Sequence, residues 1–181
     1  QALLGHIGQL PLARSFGLIP RGDFGLGLTN DETAAELARL GFASATASFE
    51  SRLAQIRDLS KPLDLELLVY GRLPLMLMEH CILRNRGQGC HCQDKPQSLG
   101  DRKGEHFPVE SAWGCRNELF NAKPLWLADK TDWRTAGAAY ARLAFLREGP
   151  GECARVFRAY REGAGEPLRA FTRGLYYRGV E

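Results

Sequence analysis

The sequence predicts an α/β protein built around a parallel β-sheet. Short apolar segments alternate with segments whose apolar residues recur at helical spacing, which is the pattern of strands joined by crossover helices. The apolar segments contain many glycine and alanine residues, which argues against a simple β-sandwich. One long stretch, residues 79–121, interrupts the alternation and is rich in cysteine, histidine, glycine and arginine.

The first third of the chain contains two predicted strand–helix pairs. Residues 16–28 are extended in character and end at a Thr-Asn-Asp sequence, which favours the start of a helix. The apolar spacing then predicts helices over residues 31–40 and 51–59, with a strand over residues 42–49 between them.

The most apolar segment spans residues 63–78 and is interrupted by Gly71 and Pro74. We interpret it as a buried strand that bends and continues. Beyond the cysteine-rich stretch the pattern predicts a strand, a short helix, a strand and a helix at residues 124–128, 132–138, 140–146 and 152–161.

Length and composition are those of a single globular domain. The chain has 181 residues, of which 44% are hydrophobic and 25% charged, and this excludes disordered and collagen-like chains. It has no membrane-length apolar run and no secretory signal, so we expect a cytoplasmic protein without a membrane partner. The net charge of +3 is too small to indicate a dedicated nucleic-acid-binding domain, and the arginine content favours an RNA substrate only slightly. Because the chain does not begin with methionine, we expect a piece of a longer protein.

Four of the five cysteines form a candidate metal centre in the interrupting stretch. They are Cys81, Cys90, Cys92 and Cys115, whereas Cys153 stands apart and is expected to be an ordinary buried thiol. An odd number of cysteines without an export signal argues against a disulfide framework. Four thiolates suit zinc or an iron–sulfur cluster, and the irregular spacing favours the cluster over a zinc ribbon.

The ligand set is open at this point, because His80, His91 or His106 can replace one thiolate. Reduced cysteines without a metal are the remaining alternative. The stretch follows the buried strand directly, at the carboxyl end where α/β folds place their ligands. We therefore predict a site rather than a linker.

The candidate catalytic residues are Glu66, Tyr70, Glu79 and His80, which lie along or just beyond the central strand. If the Glu66 carboxylate points into the fold, it must be protonated or paired with Arg72 or another arginine. The sequence has no glycine-rich phosphate loop, nucleophile elbow or His-Glu-x-x-His motif, so it gives no local support to a serine- or zinc-protease mechanism.

Two further features lie in the cysteine-rich stretch. Asn117 and Asn121 follow Cys115 and can either orient a bound ligand or cap backbone groups. The Asp-Arg-Lys-Gly sequence at residues 101–104 predicts a hairpin turn.

Several blocks of the sequence carry a family resemblance. They are Leu-Glu-Leu-Leu-Val-Tyr-Gly-Arg-Leu-Pro-Leu-Met at residues 65–76, Glu-His-Cys at 79–81, Gly-Cys at 89–90, Cys92, Asp-Arg-Lys-Gly at 101–104, Phe-Pro-Val at 107–109, Cys-Arg at 115–116, Asn121, and Thr-Arg-Gly-Leu-Tyr-Tyr-Arg-Gly-Val-Glu at 172–181. Together they resemble the collagenase-like peptidase family of unknown catalytic type, unclassified peptidase family thirty-two. The resemblance spans most of the chain.

The resemblance implies that the chain is the C-terminal part of a (β/α) TIM-like barrel. Residues 1–78 and 122–181 would supply strands and helices of the barrel, and residues 79–121 would be a cysteine-rich insertion within one domain. The missing N-terminal half of the barrel then becomes an expected partner.

The resemblance also implies a cofactor and competing functions. Some members of the family were named as collagen-degrading proteases, and others are oxygen-independent hydroxylases that modify RNA or the ubiquinone ring with a [4Fe-4S] cluster. By position, the cluster ligands would be Cys81, Cys90, Cys92 and Cys115.

We therefore expect an iron–sulfur-dependent hydroxylase acting on RNA or a small aromatic molecule. The first alternative is a metal-dependent peptidase. The second is a non-catalytic domain, stapled by a cluster or by zinc, that binds RNA or a partner. Hydrolysis needs an open metal position or a nucleophile, and four grouped thiolates provide neither.

Overall fold

Two β-sheets organise the chain in the computed structural model, which describes residues 1–82, 84, 96–163 and 167–178. In chain order the elements are β1 (Ala2–Leu4), α1 (Leu10–Ser15), β2 (Pro20–Gly22), α2 (Asp31–Arg39), β3 (Ser44–Thr46), α3 (Leu53–Asp58), β4 (Asp64–Gly71), β5 (Pro74–Met78), β6 (Gln97–Gly100), β7 (His106–Ala112), β8 (Arg116–Phe120), β9 (Leu125–Trp126), β10 (Tyr140–Ala144) and α4 (Pro150–Glu162).

The first sheet is parallel and curls into a half-barrel. Its strand order is β1-β2-β3-β4-β10, and β9 adds a short antiparallel pairing to the end of β4. Helices α1, α2 and α3 connect successive parallel strands, which is the crossover arrangement that a parallel sheet requires. The predicted α/β class with a parallel sheet is confirmed.

The helices follow from the local sequence. Helix α2 begins where the Asn30 side chain accepts a hydrogen bond from the backbone N–H of Thr33 at 2.9 Å, so the predicted capping sequence is confirmed. Its Ala34 and Leu37 are buried against the sheet, one helical turn apart. Helix α4 buries Val156 in the same way.

The apolar segment at residues 63–78 is two strands in two different sheets, not one strand that bends. The break falls at Gly71, whose φ is +129°, and a Cβ there would lie 2.3 Å from the carbonyl oxygen of Ala144. Only glycine permits this close approach of β4 to β10. The chain therefore leaves the parallel sheet at this residue and starts the second sheet with β5.

The second sheet is antiparallel, with strand order β5-β8-β7-β6. The predicted hairpin turn is confirmed, because Asp101 Oδ1 accepts hydrogen bonds from the backbone N–H groups of Lys103 and Glu105 at 2.8 and 3.0 Å. Much of the cysteine-rich stretch is thus regular structure rather than a loop. The sheet follows the carboxyl end of β4, as predicted for the insertion.

The N-terminal region differs most from the sequence prediction. Residues 16–28 are not one extended segment, since they contain only β2 and a 3-10 turn at Phe24–Leu26. Helix α1, with a proline in its first turn, was not predicted. The predicted helix at residues 132–138 is a shorter 3-10 turn, Asp132–Thr135. In the part of the chain that the structure describes, no helix has the length and apolarity needed to cross a membrane.

Candidate functional site

One end of the second sheet collects the backbone segments that lead to the cysteines. Strand β5 ends at Met78, which lies opposite Asn117 of β8. At the same end, Ala112 closes β7 opposite Arg116, and β6 begins at Gln97. We call this end, formed by Met78, Gln97, Ala112 and Arg116, the cysteine end.

Each predicted ligand belongs to a segment that starts or finishes at the cysteine end. Cys81 follows β5, and Cys115 immediately precedes β8, its neighbour in the sheet. Neighbouring strands run about 5 Å apart. Cys90 and Cys92 belong to the stretch between β5 and β6 and lie outside the described residues. Convergence of all four sulfur atoms stays a prediction.

The Cys81 side chain is buried in a small apolar cluster. It is 7% exposed and packs with the buried Val109 and with the half-buried Ile82, Leu99 and Leu119. These apolar side chains limit the access of water to the Cys81 thiol.

Cys115 is exposed and has an unusual backbone. Its φ is +61°, which makes it the one described residue other than glycine in the left-handed region, and it follows Gly114 at φ +73°. A side chain is rarely found in this conformation, and such residues cluster at functional sites. The turn thus places Cys115 at the start of β8 by a backbone arrangement that the sequence did not indicate.

The histidines separate into two groups. His80 is exposed and lies at the cysteine end, two residues after β5. His106 begins β7 at the opposite end of that 7-residue strand, so about 20 Å of chain separates it from the cysteine end. It cannot replace a thiolate there, whereas His91 lies outside the described residues.

The donor set fits a thiolate-bound metal. In the described part of the chain, no group of three or more His, Cys, Asp or Glu side chains is arranged to hold a metal ion, but two of the four predicted ligands fall outside that part. Four thiolates would suit zinc or an iron–sulfur cluster, and the apolar side chains around Cys81 would limit the access of water to a centre bound there.

Glu66 belongs to a charged cluster on the parallel sheet. Its carboxylate pairs with Arg142 of β10, which also pairs with Asp23 just beyond β2. Thr46 Oγ1 donates a hydrogen bond to Glu66 Oε1 at 2.8 Å. The three charged side chains are only 17–22% exposed. Of the two interpretations that the sequence left open, the structure has the arginine-paired carboxylate.

Tyr70, the residue before the last one of β4, lies beside a second carboxylate. Its hydroxyl donates to Glu148 Oε1 at 2.9 Å, and burial raises the pKa of Tyr70. Burial also acts to raise the pKa of Glu148, but the backbone N–H groups of Leu146 and Arg147 and the Tyr70 hydroxyl outweigh it, so the pKa of Glu148 is lowered. The pair is held as a donating phenol and an ionised carboxylate.

A cavity of about 310 Å³ lies beside this pair, between the two sheets. On one side it is lined by Tyr70 of β4, Glu152 of α4 and Glu148, which lies between β10 and α4, and Ser98 and His106 line it from the second sheet. Its volume is at the lower end of the range for small-molecule pockets. The cavity lies at the carboxyl end of β4, where α/β folds bind ligands.

The four candidate catalytic residues are not brought together. Glu66 and Tyr70 are four residues apart on β4, about 13 Å along the strand. Glu79 directly follows β5 of the second sheet, and its exposed carboxylate accepts a hydrogen bond from Arg116 Nε at 2.8 Å. His80 follows it.

Sequence reasoning missed three residues that form ion pairs or hydrogen bonds around Glu66 and Tyr70. Arg142, Asp23 and Glu148 are distant in sequence from the groups that they contact, so only the fold reveals them. In the sequence, only the alternation of the polar residues Tyr140 and Arg142 with apolar residues could have pointed to Arg142. Cys153, predicted to be buried, is only half-buried on α4, and its sulfur lies 3.6 Å from the carbonyl oxygen of Glu148.

Both asparagines cap backbone groups. Asn117 Oδ1 accepts a hydrogen bond from the backbone N–H of Ile82, and Asn121 Oδ1 accepts one from Lys123. Comparisons with protein-family models, with curated proteins and with solved structures found no match to this chain.

Proposed function

We propose that the cysteine end holds a [4Fe-4S] cluster bound by Cys81, Cys90, Cys92 and Cys115, and that the chain is part of an oxygen-independent hydroxylase acting on RNA or a small aromatic molecule. The observation that carries the proposal is that the segments of Cys81 and Cys115 meet at one end of one sheet, and the stretch that contains Cys90 and Cys92 connects two strands at that end. The family resemblance supplies the reaction class and a cytoplasmic location, where thiols stay reduced.

The small core of the second sheet supports a bound centre. In the described part of this sheet, the buried apolar residues are Pro108, Val109 and the adjoining Cys81, and Leu75, Met76 and Leu77 of β5 are more than half exposed. Sheets that bury so little apolar surface are usually stabilised by a metal or by disulfides. A metal–thiolate centre supplies that stabilisation.

The cluster and the residues of the chain would have different roles in the reaction. When bound, the cluster supplies one-electron transfer. The apolar side chains packed around Cys81 limit the access of water, and Arg142 and Thr46 orient the Glu66 carboxylate. The cavity beside Tyr70 and Glu148 offers hydrogen-bonding groups and a volume suited to a single substituted ring.

Further β/α units would complete a (β/α) TIM-like barrel. The strands β1 and β10 are the edges of the half-barrel in the described residues. Large apolar side chains near the β1 edge are exposed, among them Leu3, Leu12 and Phe16 at 53%, 62% and 72%. Exposed apolar patches of this kind usually mark an interaction surface. We propose that the other half of the barrel, as a partner, covers them.

A non-catalytic metal-stapled domain is the second candidate. The small core of the second sheet favours it equally, because a structural zinc would stabilise the same strands. A metal-dependent peptidase is the third, and it requires a water or nucleophile at the metal.

Anaerobic reconstitution with iron and sulfide tests the proposal. We expect the chain to take up iron and sulfide in equal amounts and to develop the broad visible absorption of an iron–sulfur cluster. A Cys90→Ala, Cys92→Ala double variant should bind neither, and a Cys153→Ser variant should match the unmodified chain. Uptake of zinc alone would favour the stapled domain, whereas absence of all metal would contradict the proposal. Hydrolysis of a peptide substrate by the zinc-loaded chain would favour the peptidase.

A further inference from the structure

The Asn117 side chain is a buried polar group in the second sheet. It lies at the second position of β8, and it is 0% exposed. The other buried polar residues of the described chain are Ser44, Thr46 and Ser51, which belong to the parallel sheet and its connections. Because a buried carboxamide is unfavourable unless its oxygen and nitrogen are hydrogen-bonded, the partners of Asn117 explain its presence.

Those partners lie next to two predicted ligands. Asn117 Oδ1 accepts a hydrogen bond from the backbone N–H of Ile82 at 2.8 Å, and Ile82 directly follows Cys81. Asn117 Nδ2 donates to the carbonyl oxygen of Arg116 at 3.1 Å, and Arg116 directly follows Cys115. One planar group therefore links the backbone beside Cys81 to the backbone beside Cys115.

The backbone segments of Cys81 and Cys115 both need the support that the Asn117 hydrogen bonds give. The Cys81 segment has left the β5 ladder, whose last paired residue is Met78, so its backbone needs another partner. The Cys115 backbone is in the left-handed region, which persists only where the surroundings hold it. The nearby ion pair between Glu79 and Arg116 also spans the two strands, but it is exposed and contributes little.

We infer that Asn117 is a positioning residue that fixes the spacing of Cys81 and Cys115 and thereby sets the affinity of the cysteine end for metal. The inference rests on the proposed function for its metal, while the spacing itself is a property of the metal-free chain. Residues that hold metal ligands in place typically change metal affinity 10–100-fold when they are replaced.

Asn117→Ala and Asn117→Asp separate the two hydrogen bonds. Alanine removes both. Aspartate has nearly the same shape and keeps the acceptor for the Ile82 N–H, but it loses the donor to the Arg116 carbonyl. Asn121→Ala is the matched control, because Asn121 also caps a backbone N–H near β8 but contacts neither cysteine segment.

The first experiment measures the spacing without metal. In the full chain carrying Cys90→Ser, Cys92→Ser and Cys153→Ser, a short bifunctional thiol reagent should cross-link Cys81 to Cys115. We expect Asn117→Ala to slow the cross-linking at least fivefold, with Asn117→Asp intermediate and Asn121→Ala unchanged. Circular dichroism identifies any variant that fails to fold. Equal rates in folded Asn117→Ala and its parent would overturn the inference.

The second experiment measures affinity with Co²⁺, whose thiolate absorption reports the bound cysteines. With all cysteines present, we expect Asn117→Ala to weaken Co²⁺ binding 10–100-fold and Asn121→Ala to change it less than twofold. Unchanged affinity in Asn117→Ala would overturn the role of Asn117 alone. If the unmodified chain bound neither Co²⁺ nor iron, the proposed centre would be lost and the effect on affinity with it, while the cross-linking rates would still decide whether Asn117 sets the spacing.

Discussion

The two sheets of this chain are stabilised to very different extents by apolar burial. The parallel sheet and its helices share one continuous core, in which Leu67 and Val69 of β4 and Val156 of α4 are fully buried. Among its described residues, the second sheet buries Pro108, Val109 and Asn117, together with Cys81 just beyond β5. The difference teaches that the parallel sheet is stable through its own side chains, whereas the sheet that carries the cysteines needs an additional source of stability.

The largest predicted loss of stability is in the parallel sheet. Leu67→Ala removes a fully buried side chain from the centre of β4 and should lower the free energy of unfolding by about 2–5 kcal/mol. Denaturant unfolding measures the change. Leu75→Ala, on the exposed part of β5, is the control and should stay within about 0.5 kcal/mol. Similar losses for both would remove the contrast between the sheets.

The second-largest predicted loss of stability is in the charged cluster on the parallel sheet. Arg142→Met leaves the carboxylates of Asp23 and Glu66 without their cation in a largely buried setting, and should lower the free energy of unfolding by about 2 kcal/mol. Adding Glu66→Gln should recover part of the loss, because residues in contact are not additive. The exposed pair of Glu36 and Arg39 is the control, and Glu36→Gln should have little effect. No recovery in the double variant would contradict the coupling.

Because of Glu148, the parallel sheet should lose stability as the pH falls. Its folded pKa is lowered, so its contribution to stability is present above the unfolded pKa of about 4.3 and is lost as the pH falls through the folded value. Glu148→Gln should lower stability at pH 7 by about 1 kcal/mol and flatten the loss between neutral and acid pH. Thermal unfolding from pH 7 to 3 measures both. An unchanged slope would contradict the role of Glu148.

Glu118 should give the second sheet the opposite response. Burial raises the pKa of Glu118, with a smaller contribution from the negative charge of Glu110 directly across the ladder. A raised folded pKa means that its favourable contribution exists below the unfolded pKa and is lost as the pH rises towards the folded value. Glu118→Gln should therefore slow hydrogen exchange in β7 and β8 slightly at pH 7. Faster exchange in this variant would show that ionised Glu118 stabilises the sheet.

The same contrast separates what the sequence predicted from what it did not. Helix α2 and the hairpin turn at residues 101–104 follow from neighbouring residues, and their predictions are confirmed. The split of residues 63–78 depends on how closely Gly71 approaches Ala144, which is distant in sequence. The pairing of β5 with β8 is also non-local, so periodicity along one segment could not reveal the second sheet.

The candidate site also has features that the sequence could predict and features that only the fold reveals. Thiolate chemistry and spacing predicted Cys81 and Cys115 as ligands, which stays a prediction, and the segments of both residues reach one end of the sheet. Chemistry and spacing were not sufficient to exclude His106, because only the direction of β7 places it at the far end. The pairing of Glu66 with an arginine was one of two stated interpretations, but its partner Arg142 comes from a strand 76 residues later, an association that requires the folded sheet.

Hydrogen exchange with and without bound iron tests the central claim most directly. After anaerobic reconstitution with iron and sulfide, the backbone amides of β7 and β8 should exchange at least tenfold more slowly than in the metal-free chain, while those of β3 and β4 should be unchanged. The Cys90→Ala, Cys92→Ala variant, treated in the same way, should retain the metal-free rates. A chain that takes up iron yet exchanges at the same rate in β7 and β8 would contradict the claim that a bound centre stabilises the second sheet.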